Sequence, residues 1–194
     1  MRMSFSLRSL RIALFAFLFA ALALPTAEAQ ISDNHKPNIF ADEFTPKGAN
    51  FGWKEGYTVP NLDFNDINNK KLKLYDLLEK GAVVLEFWSM DCQSCNANKK
   101  YLKSFYKMYP IEVIGVTTDP YPNEVRKQLD SQGVQWTNII DDNTNFGGQT
   151  FVEAQGMGTP AFIVIMPDKT VGQVFYQPED VKKLGVYLQQ NVAK

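Results

Sequence analysis

The 194-residue chain carries 20 basic and 21 acidic side chains, 45% hydrophobic residues and two cysteines. That balance leaves no basic footprint for nucleic acid, whose recognition rests on clustered Lys and Arg. It suits one domain of ordinary size, with enough apolar content to fold without help from a disulfide.

Residues 1 to 29 read as a secretory signal: Arg2, Arg8 and Arg11 form a basic start, Ile12 to Leu24 an apolar stretch, and Ala27-Glu28-Ala29 a cleavage site. The apolar stretch is shorter than the ~20 residues a spanning helix needs, and no cysteine follows it to carry a lipid. Cleavage after Ala29 is expected to leave Gln30 first. Losing Arg2, Arg8, Arg11 and Glu28 leaves 17 basic against 20 acidic side chains, a mildly acidic protein. Export to the periplasm would place the cysteines where disulfides persist.

Residues 30 to 57 are polar and broken by Pro37, Pro46, Gly48, Gly52 and Gly56. This predicts an extended N-terminal arm whose aromatics, Trp53 among them, pack on the domain, itself expected over 58 to 194. Val59 to Phe64 predicts a short strand, Asp66 to Asn69 a turn, and the alternating Lys71-Leu72-Lys73-Leu74 the return strand of a hairpin. Tyr75 to Leu78 reads as a brief helix closed by Gly81. Ala82 to Trp88 is nearly all apolar, the pattern of a central strand covered on both faces, with Glu86 as the exception.

Cys92-Gln93-Ser94-Cys95 follows, and a helix is predicted from Cys92 to Tyr109, stopping at Pro110. Tyr101, Leu102, Phe105, Met108 and Tyr109 form its apolar face, and Lys99, Lys100, Lys103 and Lys107 a solvated one. At the helix start, unpaired N–H groups and partial positive charge favour a thiolate at Cys92. Cys95 lies one turn further on, within bonding reach if the Cα separation falls in the permitted window. A C-x-x-C alone also fits half a zinc site or a structural staple. A third cysteine is missing and the sole histidine, His35, lies far upstream, so no metal is expected at the pair.

Ile111 to Val116 predicts a second buried strand, Pro122 to Gln132 a helix closed by Gly133, and Trp136 to Ile140 a third strand, together a right-handed parallel crossover. Asp141 to Gly148 reads as a polar loop and Gln149 to Gln155 as a short helix. Gly158-Thr159-Pro160 introduces a hairpin of Ala161 to Met166 and Val171 to Tyr176. A last helix, Glu179 to about Asn191, covers it.

Assembled in this order, the residues resemble the thioredoxin superfamily and, within it, the exported TlpA/ResA type of thiol:disulfide oxidoreductase, over roughly Val59 to Lys194. The resemblance rests on the entry hairpin, Leu85-Glu86-Phe87-Trp88, Cys92-Gln93-Ser94-Cys95, the extra strand and helix after Val116, and Gly158-Thr159-Pro160 before a hairpin. It implies an α/β, thioredoxin-like fold: a central mixed sheet flanked by helices, with an N-terminal hairpin and an inserted strand and helix. It also implies a redox-active Cys92–Cys95 disulfide that works without a cofactor, and a cis Pro160 facing it. Glu86 would serve Cys95 as a proton carrier, a role suited by the raised pKa of a buried carboxyl. Gly158, Thr159, Trp88 and Met157 are the expected substrate contacts, the Thr159 backbone pairing with a bound peptide. The implied partners are disulfide-containing exported proteins and a membrane thiol electron donor, with the protein itself a monomer and reduction the favoured direction.

The chain departs from the family pattern at Asp91, Ser94, Lys100 and Ala161, where tryptophan, two prolines and an acid are common. A reduction potential and a haem-maturation role are therefore not carried over. The proline and threonine that precede a peroxiredoxin cysteine are missing before Cys92, which argues against a peroxidase. Two other readings stay open. Cys92 and Cys95 with Met90 or Met157 would suit Cu(I), which prefers soft sulfur. A redox-silent domain would instead hold a partner through the arm or the Thr159 surface.

Overall fold

The computed structural model describes residues 52–141 and 158–192. The expected signal segment, most of the expected arm, Met157 and the elements expected over 142–155 lie outside them. β1 (Asp63–Asn65) and β2 (Lys71–Lys73) form the entry hairpin, followed by α1 (Leu74–Leu78). The core elements are β3 (Ala82–Phe87), α2 (Gln93–Met108), β4 (Ile111–Thr117), α3 (Pro122–Ser131) and β5 (Thr137–Ile140). β6 (Ala161–Ile165) and β7 (Val171–Phe175) lead through a 3-10 turn, Pro178–Asp180, into α4 (Val181–Asn191).

The five core strands lie in the order β5-β4-β3-β6-β7. β3 pairs parallel with β4 from Ala82↔Ile111 to Phe87↔Val116, and antiparallel with β6 from Val83↔Ile165 to Phe87↔Ala161. This is the expected mixed sheet, and its centre is β3, buried along its whole length. Successive side chains of a strand point to opposite faces. Val83, Leu85 and Phe87 pack with Leu74, Leu77 and Leu78 of α1, while Ala82 and Val84 pack with Leu102 of α2 and Leu184 and Leu188 of α4. By the same alternation Glu86 faces the α2 side.

Several boundaries move for local reasons. Val59 does not begin β1. Its N–H instead bonds the Lys169 carbonyl at 2.9 Å, and Pro60 beside it has no N–H to give a ladder. β2 ends at Lys73 because Leu74 turns into α1 and is buried there. Trp136 precedes β5 and is buried against the α2 side. Met108, expected on the apolar face of α2, is 67% exposed. It follows Leu102 by six residues, about 240° around the helix. Gly52 to Tyr57, the end of the expected arm, lie against β7 with Trp53 buried.

Candidate active site

β3 ends at Phe87, and the short turn Trp88 to Asp91 carries the chain to Cys92, the N-cap of α2. The Cys92 Sγ accepts the Cys95 backbone N–H at 3.1 Å, and the Ser94 hydroxyl lies 3.5 Å from it. A sulfur held this way meets donors and the positive end of a helix, both of which favour an anion. Cys92 and Cys95 form a disulfide with a Cα separation of 5.3 Å, inside the window such a bond requires. Cys92 is half-buried whereas Cys95 is fully buried, so the two sulfurs differ in access. Trp88, Val125 and Leu129 enclose Cys95, with Ile67, Met90 and Ile140 beside them.

Beneath the disulfide turn lies a buried ion pair. Glu86, 0% exposed, accepts from Lys99 Nζ at 2.6 Å, and Lys99 is only 2% exposed. The same ammonium stands 4.2 Å from the Trp88 ring centroid and 5.6 Å from that of Trp136, as cation–π contacts. Burial pushes the Glu86 carboxyl up from its ordinary range, while the charge and hydrogen bond of Lys99 pull it back. Burial likewise pushes Lys99 down, and Glu86 draws it back up. The Trp136 indole lowers Glu86 slightly, though its N–H and Glu86 Oε1 both fall short of full hydrogen-bond geometry.

The strand beside Glu86 makes room for this cluster. Gly115 of β4 pairs with Glu86, and a Cβ there would lie 2.0 Å from Asn138 Oδ1 and 3.0 Å from Trp88 Nε1. Asn138 is fixed by donating to the Trp136 carbonyl at 2.9 Å. Thr159–Pro160 is cis, and Pro160 is buried at the start of β6, whose Ala161 pairs with Phe87. The proline therefore stands at the sheet end from which the cysteine turn departs. Gly158 is exposed with φ +78°, a conformation that suits glycine, and Thr159 is half-buried.

Two expectations are corrected. Lys99 is not on a solvated face: it lies four residues after Cys95, on the same side of α2 as Cys95 and Leu102. Trp88 cannot offer its side chain to a substrate, because it is wholly buried between Lys99 and Cys95. Lys103 is half-buried as well and donates to the Gln132 carbonyl. Reading the sequence missed Lys99 and Trp136 as neighbours of Glu86. The i, i+4 relation of Cys95 and Lys99 was the available signal; nothing local marked Trp136.

A model of the AhpC/TSA family matches residues 56–174. A thiol-disulfide oxidoreductase ResA from Bacillus thuringiensis (strain Al Hakam) is 28% identical over 124 residues, covering 61% of this chain and 68% of its own. The ResA of Bacillus subtilis (strain 168) is 31% identical over 90 residues, covering 45% and 50%. In fold, the thioredoxin domain of a thiol-disulfide oxidoreductase from Bacteroides vulgatus superposes with a TM-score of 0.55 at 17% identity, covering 70% of this chain and 99% of its own. A disulfide at the start of the helix that follows the central strand of such a sheet agrees with these likenesses, and the chain belongs to the AhpC/TSA family as a thioredoxin-fold thiol:disulfide oxidoreductase.

Proposed function

We propose that this protein reduces disulfides of other exported proteins through a mixed disulfide with Cys92. The observation that carries this reading is the difference between the two sulfurs: Cys92 is reachable and held by donors at a helix start, and Cys95 is buried behind it. In the reduced protein the Cys92 thiolate attacks a substrate disulfide, one substrate sulfur leaves as a thiol, and a mixed disulfide forms. Cys95 then attacks the Cys92 sulfur, closing the internal disulfide and releasing the second substrate thiol. Its proton passes to Glu86, whose elevated pKa favours taking it. Lys99 remains as the counter-charge when the anion moves from Glu86 to the Cys95 sulfur. The cycle ends when a thiol donor at the membrane reduces the pair again.

Gly158 is exposed and Thr159 half-buried just before the cis proline, and in this reading their backbone pairs with a substrate strand. Residues 1 to 29 would direct the chain to the periplasm and be removed after Ala29. The test is selective trapping. With reduced protein at neutral pH, rapid alkylation is expected at Cys92 alone. Cys95→Ser should accumulate mixed disulfides with exported proteins and Cys92→Ser should not. Equal, slow alkylation of both cysteines, or trapping by the wrong variant, would reject these roles.

A further inference from the structure

The helix inserted between β4 and β5 grips the disulfide turn at both ends. Gln128 of α3 donates from one amide nitrogen to the Met90 carbonyl at 3.1 Å and to Asn96 Oδ1 at 3.1 Å. Met90 stands two residues before Cys92 and Asn96 one residue after Cys95, so a single side chain spans the redox ring. An NH2 group has two hydrogens, which is what two such acceptors need. Gln132, the C-cap residue that ends α3, donates to the same Asn96 oxygen at 2.8 Å. The Met90 N–H is held separately by Asp119 Oδ2 at 2.8 Å, and that carboxylate is oriented by the Thr117 hydroxyl at 2.6 Å. The apolar side of α3, Val125 and Leu129, packs in the same cluster as Cys95. Both backbone polar groups of Met90 and the side chain just after Cys95 are thus bound to the β4–α3 unit.

We propose that Gln128 is a positioning residue that sets the thiol–disulfide equilibrium of Cys92 and Cys95. When the S–S bond is lost, the sulfurs must part to van der Waals distance, and the turn that carries them must yield. A turn tied at Met90 and Asn96 resists this, keeps the two thiols close, and raises their effective concentration toward each other. The clamp therefore favours the disulfide over the dithiol. A helper that stabilised the two redox states equally would lower the melting temperature when removed and leave the equilibrium untouched.

The inference rests on the oxidoreductase reading, and glutathione separates the two. Glutathione disulfide accepts two electrons and two protons from the protein dithiol: two S–H bonds break at Cys92 and Cys95, one protein S–S bond forms, and two glutathione thiols are released. Wild type, Gln128→Ala, Gln128→Met and Lys127→Ala are equilibrated in glutathione buffers of graded ratio, and the oxidised fraction is read by alkylation. Gln128→Met keeps the length of the side chain without its donors, and Lys127 is an exposed neighbour on the same helix. Both Gln128 variants should lower the constant for disulfide formation about tenfold, a rise of ~30 mV in the two-electron potential. Lys127→Ala should match wild type. If the Gln128 variants fail to fold, Asn96→Ala opens the other end of the clamp and carries the same expectation. Folded Gln128 variants with the wild-type constant, or an equal shift in Lys127→Ala, would overturn the proposal alone. A wild-type pair that does not exchange with glutathione would overturn the oxidoreductase reading with it.

Discussion

Glu86 and Lys99 are a buried pair, and each is costly without the other. Removing one member of such a pair leaves an uncompensated charge, typically worth about 3–5 kcal/mol, whereas replacing both by apolar or neutral groups is often close to neutral. Glu86→Gln and Lys99→Met should each lower stability by that order, and the double variant should recover most of it, measured by urea unfolding near pH 7. Activity should separate where stability recovers: the double variant lacks the proton acceptor, so its exchange rate should stay low and lose its dependence on pH near neutrality. The pH dependence of stability has a definite sign. Burial raises the folded pKa of Glu86 above its unfolded value. Its contribution is therefore full below the ordinary carboxylate range and is lost as pH rises through the folded pKa. Lys99 opposes that rise, so Lys99→Met should lose more stability than wild type as pH rises from the ordinary carboxylate range through the folded pKa of Glu86. A wild-type pH profile in Lys99→Met would mean that the ammonium does not hold the carboxyl in its charged form.

At the scale of elements, the close approach of β4 to β5 fixes what the site can contain. Asn138 Oδ1 occupies the space where a Cβ of residue 115 would stand, 2.0 Å away, and the Trp88 indole lies just beyond. Gly115→Ala should cost about 1–3 kcal/mol by overpacking. Adding Asn138→Ala should relieve part of that cost, which a double-mutant cycle of urea midpoints would show; purely additive losses would place the strain elsewhere. Glu86 was legible in the sequence because a lone acid in an apolar strand breaks a pattern. Cys92 was legible because a strand, a short turn and a helix put it at an N-terminus. Lys99 was not, since it stands among four lysines of one helix and only a partner across the layer distinguishes it from a solvated cation. Gln128 was hidden for the same reason: on an amphipathic helix a polar residue reads as facing water, and its acceptors lie 38 and 32 residues away in the chain.

At the scale of the molecule, the order of strands and helices followed from periodicity and punctuation, because each core strand is a short apolar run bounded by Gly, Pro or polar residues. Less legible was where the domain begins. Gly52 to Tyr57 read as the end of a loose arm, since their sequence is glycine-broken and polar apart from Trp53 and Tyr57. Backbone pairing, which leaves no mark in composition, ties them to the sheet. β7 is an outer strand, and its open side is taken by this segment: the Gly56 N–H donates to the Val171 carbonyl and the Val171 N–H to the Tyr57 carbonyl, both at 2.8 Å. Glu55 adds a side-chain bond to the Val174 N–H at 3.1 Å, and Thr58 bridges Thr170. The six residues therefore act as a selvedge. A chain begun at Thr58 would bare a row of N–H and C=O groups able to template a second copy edge to edge. It should run as oligomers or precipitate on size-exclusion chromatography, where protein retaining Gly52 to Tyr57 does not.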